Sequence, residues 1–359
     1  MNRRVKRILF MAALGVSVCL STSCSKKEGS NAKVVFTTGF GKDEIFRIGD
    51  AVCEKPELMV YLSTMKNQYE GVFGAGIWDT SIDGVKLEQN VKDRALEDLA
   101  QIKVMVLMAK ERGVELSETE QENAAKSAKE YEQSLGEKGM ESLGVDADVV
   151  LKMYQEYALA NKLYNTIIGE VNPEISDDEA RIITVSHIFL KTYSKDEAGN
   201  KVPFSAEKKQ KVYEKAVEIQ KKALEPEQDF GALAAEYSDD SNLSYSFGKG
   251  EMDINFEKAA FMLDNNAISD VVESENGYHI IKCLSTYEKE GTEKNKVVLI
   301  EKRKREAFNS EYRAFLENLA KSVNESAVEE INLMADGQVH SLGFFELYDK
   351  YFTISAMIR

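Results

Sequence analysis

Two runs of sequence decide the fold: IITVSHIFL at residues 182–190 and NGYHIIKC at residues 276–283. Each run is rich in β-branched residues and carries a histidine near its centre, and the whole chain has only three histidines. Alternate side chains of an extended strand point to opposite faces of a sheet. The alternation therefore predicts two β-strands in which His187 and His279 share a face with bulky apolar neighbours.

The segment between these runs indicates a small α+β domain. After a turn-rich linker, apolar residues recur every three or four positions at 212–223, which predicts a helix. A second helix is predicted at 229–237, where the polar loop SDDS follows it, and a third at 255–263 precedes the closing strand. The predicted order is strand, helices, loop, helix, strand.

Four motifs in this segment resemble the parvulin family of peptidyl-prolyl cis/trans isomerases. They are ITVSHIFLKT, DFGALAAEYSDDS, FGKGEMDINFEKAAFML and NGYHIIKC, and they follow the order and spacing of the family. The resemblance covers about 100 residues and implies a parvulin domain at 180–287. That domain would be an antiparallel sheet of about four strands with surrounding helices, in which the two histidines are adjacent.

The resemblance also implies the polar residues of a catalytic site. His187 and His279 match the paired histidines, and Asp240 occupies the loop position where the family places an acidic or thiol side chain. Asn276 stands where many members carry Ser or Thr. Two imidazoles in contact need complementary tautomers, so we interpret the pair as organisers that aim Asp240 at the substrate. The sequence leaves open whether they also take part in the chemistry.

An apolar pocket for proline is implied by the same motifs. Met252 and Phe256 match the pocket residues, with Phe247 nearby. Rotation about a peptide bond is opposed by a barrier of about 18–20 kcal/mol. Twisting the bond leaves a less polar amide, which an apolar pocket favours over the planar form. The reaction requires neither a metal ion nor a cofactor.

One departure from the family motivates an alternative function. Many members carry a Gly-Gly-Asp-Leu-Gly run before the Phe-Gly segment, whereas residues 242–246 here are NLSYS. The glycines of that run permit a tight backbone path, and this chain lacks them. The alternative is therefore a holdase, a binding chaperone whose parvulin module is weakly active or inactive.

A solute-binding lipoprotein is disfavoured, because the sequence lacks the repeated α/β pattern expected of such a protein.

Residues 1–23 predict a secretory signal, because basic residues precede an apolar run that is too short to anchor in a bilayer. The sequence from Leu20 to Cys24 resembles a bacterial lipobox, although its leucine lies four positions before the cysteine rather than three. This implies lipidation of Cys24 and a flexible lipid-anchored tether at 24–44. Cleavage after Ser23 without lipidation is the alternative, and both place the protein outside the cytoplasm.

Residues 45–175 predict a helical lobe. Apolar stripes recur at helical spacing, and SETE at 117–120 fits a capping box. A further amphipathic helix is predicted after Lys296, so we expect 288–359 to form a helix and tail that pack on this lobe. The whole plan resembles extracytoplasmic foldases of the PrsA and SurA type. That resemblance implies a chaperone lobe into which the parvulin domain is inserted.

An aromatic cluster in the lobe has two interpretations. Tyr69, Phe73 and Trp78 lie beside three glycines. The cluster is either a turn that packs its tryptophan or an adaptable apolar surface.

Charge limits the partners of the protein. The net charge is −15, and it becomes more negative when the basic signal is removed. A polyanion would be repelled, so nucleic acid is not an expected partner. We expect unfolded or folding secreted polypeptides that contain proline, and the membrane through the lipid anchor. A homodimer is left open.

Two cysteines remain once Cys19 and Cys24 are assigned to the N-terminal segment. Neither Cys53 nor Cys283 shows metal-ligand spacing with a histidine. Two separate buried thiols are favoured over a single bridge between them.

Overall fold

The computed structural model describes residues 39–333, 339 and 341–357, with side chains described up to residue 352. The predicted signal, Cys24 and most of the predicted tether lie outside the described residues, as does part of the tail. The chain forms two compact units. The helical unit runs to Val171 and resumes at Arg305, and the sheet unit runs from Asn172 to Lys304.

The first part of the helical unit consists mainly of long helices. Its elements are β1 (Glu44–Ile48), β2 (Ala51–Glu54), α1 (Lys55–Phe73), a 3-10 helix (Ala75–Asp79), β3 (Ser81–Ile82), β4 (Val85–Lys86), α2 (Leu87–Arg112), α3 (Glu118–Leu143) and α4 (Ala147–Glu170). The predicted capping box at the start of α3 is present, because Ser117 Oγ accepts a hydrogen bond from the backbone of Glu120.

The sheet unit has an α+β architecture. Its elements are α5 (Asp177–Ala180), β5 (Ile183–Lys191), β6 (Tyr193–Lys195), β7 (Lys201–Pro203), α6 (Ala206–Ala223), α7 (Phe230–Tyr237), β8 (Ser244–Phe247), α8 (Ile254–Phe261), β9 (Val272–Ser274), β10 (Gly277–Ser285) and the first part of α9 (Lys289–Glu317). Four of the strands form an antiparallel sheet in the order β8-β5-β10-β9. This confirms the predicted fold class.

The chain then returns to the helical unit with the second part of α9, followed by β11 (Lys321–Val323), α10 (Glu325–Glu329) and α11 (Phe344–Met357). Strand β11 pairs with β1, which pairs with β2. Phe308, Tyr312 and Phe344 are fully buried in the same core as Tyr154, and the rings of Tyr154 and Phe344 stack with centroids 4.1 Å apart. No helix in the described ranges is both long and apolar enough to cross a membrane.

Alternation along β5 and β10 gives the sheet two apolar faces. Ile188 and Ile280 pack with helices α6 and α7 on one face. Val185 and Ile281 pack with Phe256 of α8 on the other face. The histidines lie on this second face, which they share with apolar neighbours as the alternation predicted. Cys53 and Cys283 are both buried free thiols.

The hairpin between β9 and β10 depends on a glycine. Gly277 has φ 156°, and a Cβ atom placed on it would lie 2.1 Å from the carbonyl oxygen of Leu190 on β5. No side chain fits at that distance, so glycine is needed for β10 to reach β5 at this point.

We expect Gly277→Ala to destabilise the sheet unit by about 3 kcal/mol, because backbone rather than a flexible side chain must move. Gly199→Ala is the control, since Gly199 has φ 86° and no atom lies within 4 Å of the position that a methyl group would take there. Backbone strain alone costs about 1 kcal/mol there. Hydrogen exchange of the β5 and β10 amides measures both changes. If the β5 and β10 amides were equally protected in the two variants, the expected collision at Gly277 would be refuted.

Candidate active site

Strands β5 and β10 place two imidazole rings side by side. In the register of the two strands, Ile281 lies opposite His187 and His279 lies opposite Phe189, so the histidines are diagonal neighbours on one face. Their Nδ1 atoms are 3.3 Å apart and their planes differ by 14°. The side chain of His187 is only 4% exposed.

The outer nitrogens of the pair fix the positions of the protons. His187 Nε2 lies 3.1 Å from the carbonyl oxygen of Asn242 and 3.3 Å from Asp240 Oδ2. Both partners are acceptors, so this nitrogen carries a proton. In a neutral ring His187 Nδ1 then accepts, and His279 Nδ1 donates to it. His279 Nε2 is left as the acceptor for the hydroxyl of Ser274, 2.8 Å away. The same hydroxyl lies 3.2 Å from the carbonyl oxygen of Gly277, a longer contact that competes for its proton.

Burial keeps both imidazoles neutral. It lowers the pKa of His187, although the carbonyl of Asn242 and the Asp240 carboxylate act in the opposite direction. The pKa of His279 falls from 6.5 to about 4 through burial and the proximity of His187. Partial burial raises the pKa of Asp240, but hydrogen bonds from Asn242 and Tyr245 outweigh it and lower the pKa overall. At neutral pH the site is a neutral histidine pair beside one carboxylate.

The loop after α7 holds Asp240 against His187. Ser238 Oγ accepts hydrogen bonds from the backbone of Phe189 and of Asp240, which ties the loop to β5. Asp240 Oδ1 accepts from the backbone of Asn242 at 3.0 Å. The side chain of Asp240 is 28% exposed, so its carboxylate reaches solvent.

The stretch that departs from the family motif contributes directly to the site. Besides the Asn242 carbonyl, the carbonyl oxygen of Leu243 accepts a hydrogen bond from the backbone of His187 at 3.0 Å. The rest of the stretch forms most of β8, in which Tyr245 lies opposite Val185. The hydroxyl of Tyr245 donates to Asp240 Oδ2 at 2.8 Å. Sequence reasoning missed Tyr245, because its place beside His187 depends on how β8 pairs with β5.

The predicted pocket residues lie beside the histidines. The ring of Phe256 is edge-on to His187 and to His279, with centroids 5.6 and 5.1 Å away. Met252 is partly exposed and packs on the same cluster. Phe247 is only 1% exposed and lies 5.9 Å from Phe256 between ring centroids, so it supports the pocket from within the core.

Helix α8 orients these apolar groups through its cap. The side chain of Asp253 accepts hydrogen bonds from the backbone of Asn255 and of Phe256, which fixes the start of the helix between Met252 and Phe256. An Asp at this position is a favourable N-cap because it satisfies otherwise unpaired amide groups.

Asn276 and Ser274 occupy different surroundings in the β9–β10 hairpin. Asn276 Oδ1 accepts a hydrogen bond from Lys201 Nζ at 2.6 Å, at the surface. The hydroxyl that meets His279 belongs to Ser274 instead. Because Gly277 pairs with Ser274, the two-residue turn puts Ser274 on the same face as His279. Sequence reasoning missed Ser274, although the alternation of side chains across this two-residue turn was an available signal for it.

Within the described part of the chain, no three His, Cys, Asp or Glu side chains converge as metal ligands would.

Comparison with known proteins gives the class of this site. The family described as rotamase, with a PPIC-type PPIase domain, matches residues 187–285. The chain therefore carries a parvulin-type peptidyl-prolyl isomerase domain, as the four motifs implied.

Similarity to particular proteins extends beyond that domain. The foldase protein PrsA of Clostridium botulinum (strain Okra / Type B1) is 26% identical over 315 residues, which cover 80% of this chain and 86% of the relative. PrsA of Caldanaerobacter subterraneus subsp. tengcongensis is 27% identical over 290 residues, covering 78% and 82%. A crystal structure of PrsA from Bacillus cereus has 25% identity, covers 73% of this chain and 91% of its own, and gives a TM-score of 0.37.

We expect Ser274→Ala to lower kcat/KM for a prolyl peptide about 10-fold. The substitution leaves the partly buried Nε2 of His279 without its donor, and an unpaired acceptor of this kind costs about 1–3 kcal/mol. Ser274→Thr keeps the hydroxyl and should retain most of the rate. Asn276→Ala removes only a surface contact and should change the rate less than about 2-fold. A peptide isomerisation assay ranks the variants. A larger loss from Asn276→Ala than from Ser274→Ala would contradict the assignment of the hydroxyl.

Proposed function

We propose that this protein isomerises X–Pro bonds in polypeptides that fold outside the cytoplasm. The observation that carries the proposal is the uncharged hydrogen-bonded chain from His187 through His279 to Ser274, which lies beside the Asp240 carboxylate and an apolar surface. His187, His279 and Asp240 form the proposed polar side of the site.

The proposed mechanism lowers the barrier to twisting the amide. A planar X–Pro amide places partial negative charge on its carbonyl oxygen, and twisting removes much of that charge. An apolar surface at Met252 and Phe256 favours the twisted form, because it solvates the polar planar form poorly. The negative charge of Asp240 repels the planar carbonyl more than the twisted one. Both effects discriminate between ground state and transition state.

The histidines serve this mechanism by position. The proton of His279 lies in the bond between the inner nitrogens, and that of His187 is held by the Asn242 carbonyl and Asp240, so neither reaches the substrate unless a hydrogen bond breaks. The pair instead holds the orientation of Asp240 through His187 Nε2. No bond in the substrate is broken, so no nucleophile is needed.

The helical unit would bind unfolded segments of the same clients. Its support is the name of the relatives, foldase protein PrsA, and the exposed apolar residues at the end of α1. Trp78 is packed and donates to Glu70 Oε1, whereas Phe73 is 64% exposed. The aromatic cluster thus combines a packed turn with an exposed apolar edge.

Attachment to the membrane through lipid on Cys24 belongs to the same proposal. It is supported by the basic and apolar segment before Cys24 and the polar residues after it. Whether the protein forms a homodimer stays open. The holdase alternative is not favoured, because the residues that replace the glycine run hydrogen-bond to His187 and Asp240.

We expect Met252→Ala to lower kcat/KM about 10- to 100-fold, because about 2 kcal/mol of apolar contact with the substrate is lost. Met262→Ala is a matched control: Met262 follows α8, is 87% exposed, and should leave the rate unchanged. The assays are isomerisation of a prolyl peptide and refolding of a proline-limited protein, with the chain from residue 25 onward.

The same assays, together with a measurement of client aggregation, decide between the two functions. If the parent accelerates neither reaction yet suppresses aggregation of an unfolded client, the holdase replaces the isomerase. If Met252→Ala and Met262→Ala behave alike in an active parent, the pocket assignment is wrong.

A further inference from the structure

Tyr245 makes two contacts in the site that the four family motifs do not supply. It lies within the stretch 242–246 that replaces the family's glycine run. Its hydroxyl donates to Asp240 Oδ2 at 2.8 Å, and its ring is edge-on to His187 with centroids 5.2 Å apart. The side chain is partly exposed and packs on the same apolar cluster as Met252.

We propose that Tyr245 is a positioning residue for the isomerase reaction, with its hydroxyl orienting the Asp240 carboxylate and its ring forming a wall of the site against His187. The inference rests on the proposed function of the site. It adds a residue that the parvulin motifs do not contain.

The geometry around Asp240 supports this role. Oδ1 is fixed by the backbone of Asn242, while Oδ2 meets both Tyr245 and His187 Nε2. Without the tyrosine hydroxyl, Oδ2 would keep only the contact to His187, whose proton is already shared with the Asn242 carbonyl. The carboxylate could then rotate away from the orientation that faces the amide.

The pKa shifts agree with this geometry. Partial burial and the Asp240 carboxylate raise the pKa of Tyr245, so the hydroxyl keeps its proton and remains a donor through the neutral range. The Tyr245 hydroxyl is one of the hydrogen bonds that lower the pKa of Asp240. His187 on β5 is the other titratable group in contact with Asp240, and the neighbouring Asp239 is paired with Lys191.

Tyr245→Phe tests the hydroxyl while keeping the ring. We expect kcat for a prolyl peptide to fall about 5- to 10-fold with KM changed less than about 2-fold, a loss of the size expected for one intramolecular hydrogen bond. The acid limb of the pH–rate profile should move to higher pH, because Asp240 loses a bond that favours its charged form. Tyr245→Leu should additionally raise KM, since it removes the ring.

Tyr278→Phe is the matched control. Tyr278 lies on β10 in the cluster on the opposite face of the sheet, so it loses a hydroxyl in the same unit without contact to Asp240. We expect a parent-like kcat and pH profile. Hydrogen exchange of β5 checks that each variant keeps its fold.

A double-mutant cycle decides whether Tyr245 acts through Asp240. If it does, Tyr245→Phe should have little further effect in an Asp240→Ala background. The inference would be overturned if Tyr245→Phe lowered kcat by the same factor in both backgrounds. A parent-like kcat and pH profile for Tyr245→Phe would also overturn it. An inactive parent would instead refute the proposed function, so the two failures are distinguishable.

Discussion

The site depends on one hydrogen bond, between Nδ1 of His187 and Nδ1 of His279. Two identical nitrogens can share a proton only if one ring donates and the other accepts. Burial excludes the simple alternative of a charged pair, because it lowers both pKa values. The outer contacts decide which ring donates: acceptors at His187 Nε2 require a proton there, and His279 Nε2 then requires a donor. Asp240 with Asn242, and Ser274, meet those two requirements.

This arrangement suits a reaction that rotates a bond without breaking one. A site that holds its protons internally presents the substrate with an apolar surface and a single carboxylate. Such a site needs little reorganisation when the amide twists, because its polar groups are already satisfied. The NLSYS stretch is part of that preorganisation. Its backbone bonds to His187 and to Asp240, so the residues that depart from the family motif help to fix the site.

The sequence predicted the residues that depend on local pattern. Strand alternation placed His187 and His279 on apolar faces, and the resemblance to parvulins supplied Asp240, Met252 and Phe256. Ser274 and Tyr245 were missed because their positions depend on how β9 pairs with β10 and β8 with β5. Pairing registers are set by turns and tertiary contacts, which periodicity does not report. For the same reason the pairing of β1 with β11, far apart in the chain, was not predicted.

The most direct test of this account is a ¹⁵N NMR titration of the imidazole nitrogens of His187 and His279. We expect both rings to be neutral at pH 7, with the proton of His187 on Nε2 and that of His279 on Nδ1. His279 should titrate only near pH 4. Because the pKa of His279 is 6.5 in the unfolded chain and about 4 in the folded one, its contribution to the stability of the sheet unit is complete above about pH 6.5 and is lost as the pH falls toward 4. A doubly protonated ring at pH 7, or the opposite pair of tautomers, would contradict the account.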